Sequence, residues 1–277
     1  AENKVPAGLP ASVVENVPSG VDARSLMQTY GALAPRLGFA WQARPSFVVR
    51  GGAGIFYADA PFLGASGRLP ANPPYAISNT YPTDNVTPIV LLGTGFPPTA
   101  TTSADFSSVN ISAFAPDMKN GAVYHWSFGL QKQIAGFVLE SNYVGTRGVS
   151  LPLTYQANQA LAGPGSVASR RPYQGFNNIL LTMSAGLSRY NALELKAERR
   201  YSNGLSLISA YTFSRALDNG GEQLIGDLNL RDVNNLNWEY GLSSGNISHR
   251  FVAGVLYDVP FGTGRKFAVA NPVLNAV

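Results

Sequence analysis

The chain contains no cysteine, so it can carry no disulfide framework, thiolate metal site or cysteine nucleophile. Histidine is nearly absent as well. His125 and His249 are the two present, they are far apart in sequence, and no His-x-x-x-His spacing exists to hold zinc. No Gly-x-Ser-x-Gly elbow is present to place a hydrolytic serine. No catalytic residue, metal ligand or cofactor site is therefore expected, and the chain does not read as an enzyme. Charge is scarce: Asp, Glu, Lys and Arg make up 13% of the chain, about half the usual share. The 20 basic and 16 acidic residues leave a net charge of +4. The bases do not gather beyond Arg170-Arg171 and Arg199-Arg200, which argues against a nucleic-acid groove. Long apolar runs are missing too. Stretches such as 89–92 and 179–181 fall far short of the roughly 18 residues a transmembrane helix needs. Yet 45% of the residues are hydrophobic and 11% aromatic, too many for a disordered chain. A β-rich protein remains: a large sandwich, a solenoid or a membrane barrel.

Period-two alternation runs through the chain. In residues 123–133, Tyr124, Trp126, Phe128, Leu130 and Lys132 alternate with small and polar residues. A second strand follows, with Phe137, Leu139, Ser141, Tyr143 and Gly145 on one face. Ile134-Ala135-Gly136 reads as the hairpin turn between them. In residues 187–201, Leu193, Leu195 and Ala197 alternate with Glu194, Lys196 and Glu198. Ser202-Asn203-Gly204 then supplies a turn whose Asn and Gly tolerate positive φ. Leu205, Leu207, Ser209, Tyr211 and Phe213 continue on the far side. An earlier hairpin joins 36–42 to 47–57 through Ala43-Arg44-Pro45, and a seventh strand spans 247–259.

The connections between these strands alternate in length without exception. They cover 43–45, 58–122, 134–136, 148–186, 202–204 and 216–246, that is 3, 65, 3, 39, 3 and 31 residues. The long ones are rich in Pro, Gly, Ser, Thr and Asn, as in 93–103. A soluble sandwich has no reason to place every short turn at one end. A transmembrane barrel does, with short periplasmic turns and long extracellular loops. Strands of about ten residues also suit a tilted crossing of the hydrocarbon core. The fold class expected is therefore all-β: an antiparallel, up-and-down transmembrane β-barrel segment of about seven or eight strands. Seven strands cannot make the even count of a complete bacterial single-chain barrel.

In lipid a sheet can cross only when its backbone groups are paired within the protein, and its side chains then alternate between lipid and lumen. Trp126, Phe128, Leu193, Leu195 and Tyr211 are the lipid-facing candidates; Arg50, Glu140, Arg147, Glu194, Lys196 and Glu198 are the lumen-facing ones. The reverse orientation would put a midplane Lys in hydrocarbon at about 2–4 kcal/mol. Tyr57, Tyr143, Tyr211 and Phe213 on the loop side, with Phe137, Tyr201 and Tyr257 on the turn side, suit the two membrane interfaces.

Several segments also resemble a known family. Leu33-Ala34-Pro35-Arg36-Leu37-Gly38-Phe39-Ala40-Trp41 with Val49-Arg50-Gly51-Gly52-Ala53-Gly54-Ile55-Phe56-Tyr57 resembles the barrel of Oar-like TonB-dependent outer-membrane receptors. So do Trp126-Ser127-Phe128-Gly129-Leu130-Gln131-Lys132-Gln133, Glu140-Ser141-Asn142-Tyr143-Val144-Gly145-Thr146-Arg147-Gly148 and Tyr190-Asn191-Ala192-Leu193. Ala210-Tyr211-Thr212-Phe213-Ser214-Arg215-Ala216-Leu217-Asp218, and His249-Arg250-Phe251-Val252 with Pro260-Phe261-Gly262, complete the series. The resemblance spans about residues 30–266. It implies ligand uptake across a bacterial outer membrane, with membrane lipid, a plug domain and TonB as partners of the whole receptor and an external ligand of unknown class. No plug, energy-coupling box or aromatic-terminated final strand is found, and residues 1–30 lack the order of a signal peptide. The chain reads as one partial barrel segment over 1–277: a lead-in at 1–33, barrel strands at 34–266 and a tail at 267–277. The rival reading is a surface adhesin or structural β-sheet protein without transport.

Other motifs carry weaker chemistry. Arg50-Gly51-Gly52-Ala53-Gly54 looks like a phosphate loop, but it lies within a strand pattern and lacks the following helix and Lys-Ser/Thr. Gly262-Thr263-Gly264-Arg265-Lys266 reads as a turn. Asp218-Asn219-Gly220-Gly221-Glu222 lacks EF-hand spacing. Asn85-Val86-Thr87 and Asn110-Ile111-Ser112 match a glycosylation pattern, and 232–240 could contact a ligand from a loop. The expected charges of the polar face are set to pair among themselves across neighbouring strands.

Overall fold

The hairpins form around turns of two residues. In the computed structural model, Ala135 and Gly136 take φ of 50° and 82°, and Asn203 and Gly204 take 53° and 77°. Positive φ at both central positions is the twist that lets two strands leave a two-residue turn without splaying. The structure describes residues 32–58, 110–115, 117–220, 230–232 and 234–261, with the single positions 72, 86, 93, 95 and 267. The Gly262–Lys266 motif, residues 1–31, the tail after 267 and most of 59–109 lie outside the described residues, as do Gly221 and Glu222.

Among the described residues nine strands form one sheet: β1 (Arg36–Arg44), β2 (Phe47–Ala58), β3 (Ile111–Phe114), β4 (Gly121–Ile134), β5 (Phe137–Gln156), β6 (Ile179–Ser202), β7 (Leu205–Asp218), β8 (Gly241–Leu242) and β9 (His249–Tyr257). The order β1-β2-β4-β5-β6-β7 is an antiparallel meander, and both β8 and β9 lie on the outer edge of β7. β8 pairs with the loop end of β7 and β9 with the rest. Between them Ser214 and Ala216 hold 246–248 through Ser214 Oγ to Ile247 O at 2.7 Å and Ala216 N to Asn246 Oδ1 at 2.7 Å. The two short pieces therefore complete one crossing. Among the described residues the meander thus has seven full-length strands, the number expected, and β1 does not pair with β9, so the sheet is open.

Three features differ from the sequence-based expectation. β5 and β6 run to 20 and 24 residues, well beyond the ten needed to cross a bilayer. They extend past a bulge between Gly148 and Leu151, where Ser150 takes φ 53°. β3, inside the 58–122 connection, pairs with residues 179–182 of β6 in parallel. It occupies the edge of β6 that β7 leaves free, since β7 begins to pair only at Ser188.

Burial is concentrated at this loop end. Ala115, Met118, Ala122, Leu153, Phe176 and Leu230 are buried there, and Ala192 is the one buried apolar residue farther down the meander among those described. Phe114 and Met183 pack on Ala115 and Met118. Asn158, 1% exposed, organises the 157–178 connection. Its Nδ2 donates to the carbonyls of Tyr173, Phe176 and Asn177 at 2.9–3.1 Å, and its Oδ1 accepts the Tyr173 N–H at 2.9 Å. Arg171 also reaches the Phe176 carbonyl and Asn177. Asn219 accepts from Leu187 N at 2.6 Å and donates to Ala185 O at 3.0 Å. Its segment is thus a structural clasp onto β6.

Candidate functional site

Directly paired residues on neighbouring strands point to the same side of a sheet, so the registers sort every side chain onto one of two faces. One face is polar. Its central row runs Ala40, Arg50, Gly129, Asn142, Glu194, Thr212, Arg250. The next row toward the turns is Gln42, Val48, Gln131, Glu140, Lys196, Ala210, Val252, and Glu198 follows beside Val138 and Ile208. Lys196 Nζ lies 2.7 Å from Glu198 Oε2 on its own strand, and Glu140 stands opposite Lys196 in the register. Arg50, Glu140, Glu194, Lys196 and Glu198 thus share one face and cluster in three adjacent rows.

Arg147 does not join them. It lies on the same strand as Glu140, an odd number of residues away, and no bulge intervenes before Gly148. It pairs with Tyr124 and Arg189 on the opposite face. The earlier grouping followed its charge, whereas strand parity decides its side.

Two polar-face residues escaped the sequence reading. Arg250 joins the central row only through its pairing with Thr212, a tertiary relation that its own segment does not signal. Arg36 lies over the Phe56 ring at 4.6 Å, nearer the loops. Gln131 Oε1 is shielded from solvent and has no hydrogen-bond partner. Asn142 folds over Gly129, where a Cβ would occupy the space of its amide.

The other face is apolar. One row carries Phe39, Gly51, Phe128, Tyr143, Leu193, Phe213 and His249; the next toward the turns carries Trp41, Val49, Leu130, Ser141, Leu195, Tyr211 and Phe251. No second sheet covers it among the described residues. Leu37 is 79% exposed, Phe251 68% and Phe128 49%, while Leu193 and Leu195 are also exposed. Trp126 and Tyr211 are half-buried for local reasons. The Trp126 indole lies across Gly145, just as Phe39 lies across Gly51. Tyr211 is held by His249, its hydroxyl 2.8 Å from Nδ1. Between Leu130, Leu139, Leu195, Tyr211 and Phe251 the face dips into a shallow apolar groove of about 390 Å³.

The glycines of 50–54 are paired on both sides within β2, so their N–H groups form no phosphate cradle. The two histidines face opposite ways. His125 contacts Thr146 at 3.2 Å on the polar face, whereas His249 lies against Tyr211 and Phe213. No group of three or more potential metal ligands occurs among the described residues. In the loop-end extension, burial and the neighbouring Tyr173 push the Tyr155 hydroxyl pKa above its ordinary value.

A family profile described as an outer membrane beta barrel domain matches residues 4–277. Among solved structures, the chain is similar to the FrpB iron transporter from Neisseria meningitidis (11% identity, 68% of this chain and 19% of that one, TM-score 0.38). It is similar to the outer membrane transporter YddB from Escherichia coli (11% identity, 67% and 20%, TM-score 0.42). It is also similar to the siderophore receptor PirA from Pseudomonas aeruginosa (15% identity, 67% and 30%, TM-score 0.36). The chain thus spans less than a third of the length of each. No curated protein sequence matches it.

Proposed function

The chain belongs to the family of outer membrane β-barrel domains and resides in the bacterial outer membrane, and from this we propose that residues 34–266 supply part of the wall of a ligand-admitting TonB-dependent receptor of the Oar-like type. The apolar face, with Trp126, Phe128, Leu193, Leu195 and Tyr211, meets hydrocarbon. Arg50, Glu140, Glu194, Lys196 and Glu198 line the lumen, where they meet the passing ligand or the plug. The plug and the energy-coupling contact with TonB come from other parts of the receptor, and the loop-end extension of β3, β5 and β6 forms part of the ligand entrance.

The observation that carries this reading is the segregation of the two faces. Large apolar side chains dominate two consecutive rows on one side, and five of the six expected lumen charges gather on the other. Removing each large side chain from water is worth about 1.5–3 kcal/mol, so leaving the whole face wet is unfavourable by tens of kcal/mol. Hydrocarbon on one side and water on the other satisfies both faces, and the backbone is paired within the sheet.

Growth tests the transport step. Strains lacking the full-length receptor, or TonB, are supplied with single siderophores, oligosaccharides or peptides as the limiting nutrient. Loss of growth on the same nutrient in both strains is the expected result. Unchanged growth on every nutrient, with loss of surface attachment, would favour an adhesin.

A further inference from the structure

The apolar face carries a charged feature that lumen chemistry does not use. Arg147 and Arg189 are direct cross-strand partners in the β5/β6 register. Like charges placed directly opposite repel and destabilise a sheet. Their row reads Ile55, Tyr124, Arg147, Arg189, Leu217, Leu242, so its flanks are apolar or aromatic. Arg215 lies one row nearer the turns, beside Asn191. Among the described residues neither Arg147 nor Arg189 has an ion pair or side-chain hydrogen bond. The nearby acid on the 236–239 turn, Glu239, is taken by Arg231, whose backbone N–H donates to Oε1 at 2.8 Å.

The two guanidinium groups open onto a cleft of about 530 Å³, lined also by Trp126, Ser188, Asn237 and Tyr240. Its depth in the membrane follows from strand geometry. Ten residues along β4 separate Tyr124, in the arginine row, from Ile134 at the turn. They span about 34 Å along the strand, or about 24 Å of depth at a tilt of ~45°. That matches an apolar band of about 25 Å. With the turn end at one interface, the arginine row reaches the other, where lipid phosphates lie. Tyr124 stands in the arginine row itself and Trp126 in the next, where interfacial aromatics belong, and Phe39, Phe128, Tyr143 and Phe213 lie two rows beneath it.

We propose that Arg147 and Arg189, with Trp126, Asn237 and Tyr240 around them, bind the phosphorylated sugar headgroup of an outer-leaflet glycolipid. The forked donors of the two arginines fit a phosphate and relieve the repulsion between them. Asn237 and the Tyr240 hydroxyl offer hydrogen bonds to sugar hydroxyls, and the Trp126 ring offers an apolar wall to a pyranose. This assignment rests on the reading that the apolar face meets lipid.

The test uses the full-length protein, reconstituted in bilayers and released for native mass spectrometry, with diphosphoryl lipid A, dephosphorylated lipid A and phosphatidylglycerol as probes. The expected result is preferential retention of diphosphoryl lipid A by the wild type. Retention falls about tenfold in the R147A/R189A double variant and is unchanged in R44A at the turn end. Equal retention by the double variant and the wild type would overturn the proposal. So would retention of phosphatidylglycerol as tight as lipid A, or displacement of lipid A by millimolar inorganic phosphate. The selectivity of the wild type decides the matter even where the double variant fails to assemble. A wild-type protein that does not enter bilayers at all would instead sink the barrel reading on which the site depends.

Discussion

At Gly145 the chain leaves out a side chain so that the Trp126 indole can lie flat across the neighbouring strand. A methyl group there must push the ring outward. Gly145→Ala is expected to lower stability by about 0.5–1 kcal/mol, the scale of one cross-strand pair, and to shift Trp126 emission in bilayers. Unchanged emission would mean that the ring does not rest on the glycine. Ala135 offers the converse case. It holds φ at 50°, which is unfavourable by about 1–2 kcal/mol for a residue with a Cβ. Ala135→Asn is therefore expected to raise resistance to urea by up to about 1 kcal/mol, and no gain would show that the turn carries no strain. Asn203-Gly204 was legible in the sequence because both residues favour this conformation, and Ala135-Gly136 because strands flank it on both sides. Arg147 was not, because its charge suggested one face while its position in the alternation dictates the other.

Along one element, β6 alternates Leu193, Leu195 and Ala197 with Glu194, Lys196 and Glu198. Leu195→Lys is expected to destabilise the inserted protein by about 2–4 kcal/mol, whereas Glu194→Gln should leave assembly intact. Gel mobility of heated and unheated samples reads both variants; equal damage from the two substitutions would contradict a one-sided hydrocarbon contact. The crossing part of this strand was legible from its period. Its loop-end half was not, because the bulge at Ser150 breaks the alternation of its partner β5, and β3 is too short to show a period. Their pairing depends on tertiary neighbours. In that region Asn158→Ala would strip the donor from three carbonyls, each loss worth about 1–3 kcal/mol where the group stays buried. Limited proteolysis should then cut within 160–175 while the crossing strands stay protected. Continued resistance there would show that Asn158 is dispensable.

Across the whole molecule, the sheet is open at β1 and β9, and both edge strands are solvent-exposed along almost their full length. Unpaired strand edges with a large apolar face favour association. In water the 277-residue chain alone is expected to aggregate, and in detergent to disperse; a soluble monomer by light scattering would contradict this. The fold class was legible because the alternation and the rhythm of short and long connections are both local properties of the chain. The separation of the faces into rows, and the arginine pair that shares a row with Tyr124, required the registers between strands. One experiment addresses that separation directly. These 277 residues hold no cysteine, so single cysteines at positions 193–198 can each carry a nitroxide in reconstituted full-length protein whose other cysteines, where present, are replaced by serine. A lipid-covered apolar face predicts that accessibility to oxygen peaks at 193, 195 and 197 and that accessibility to a water-soluble nickel complex peaks at 194, 196 and 198. Both reagents peaking at the same positions, or neither reaching 193 and 195, would contradict it.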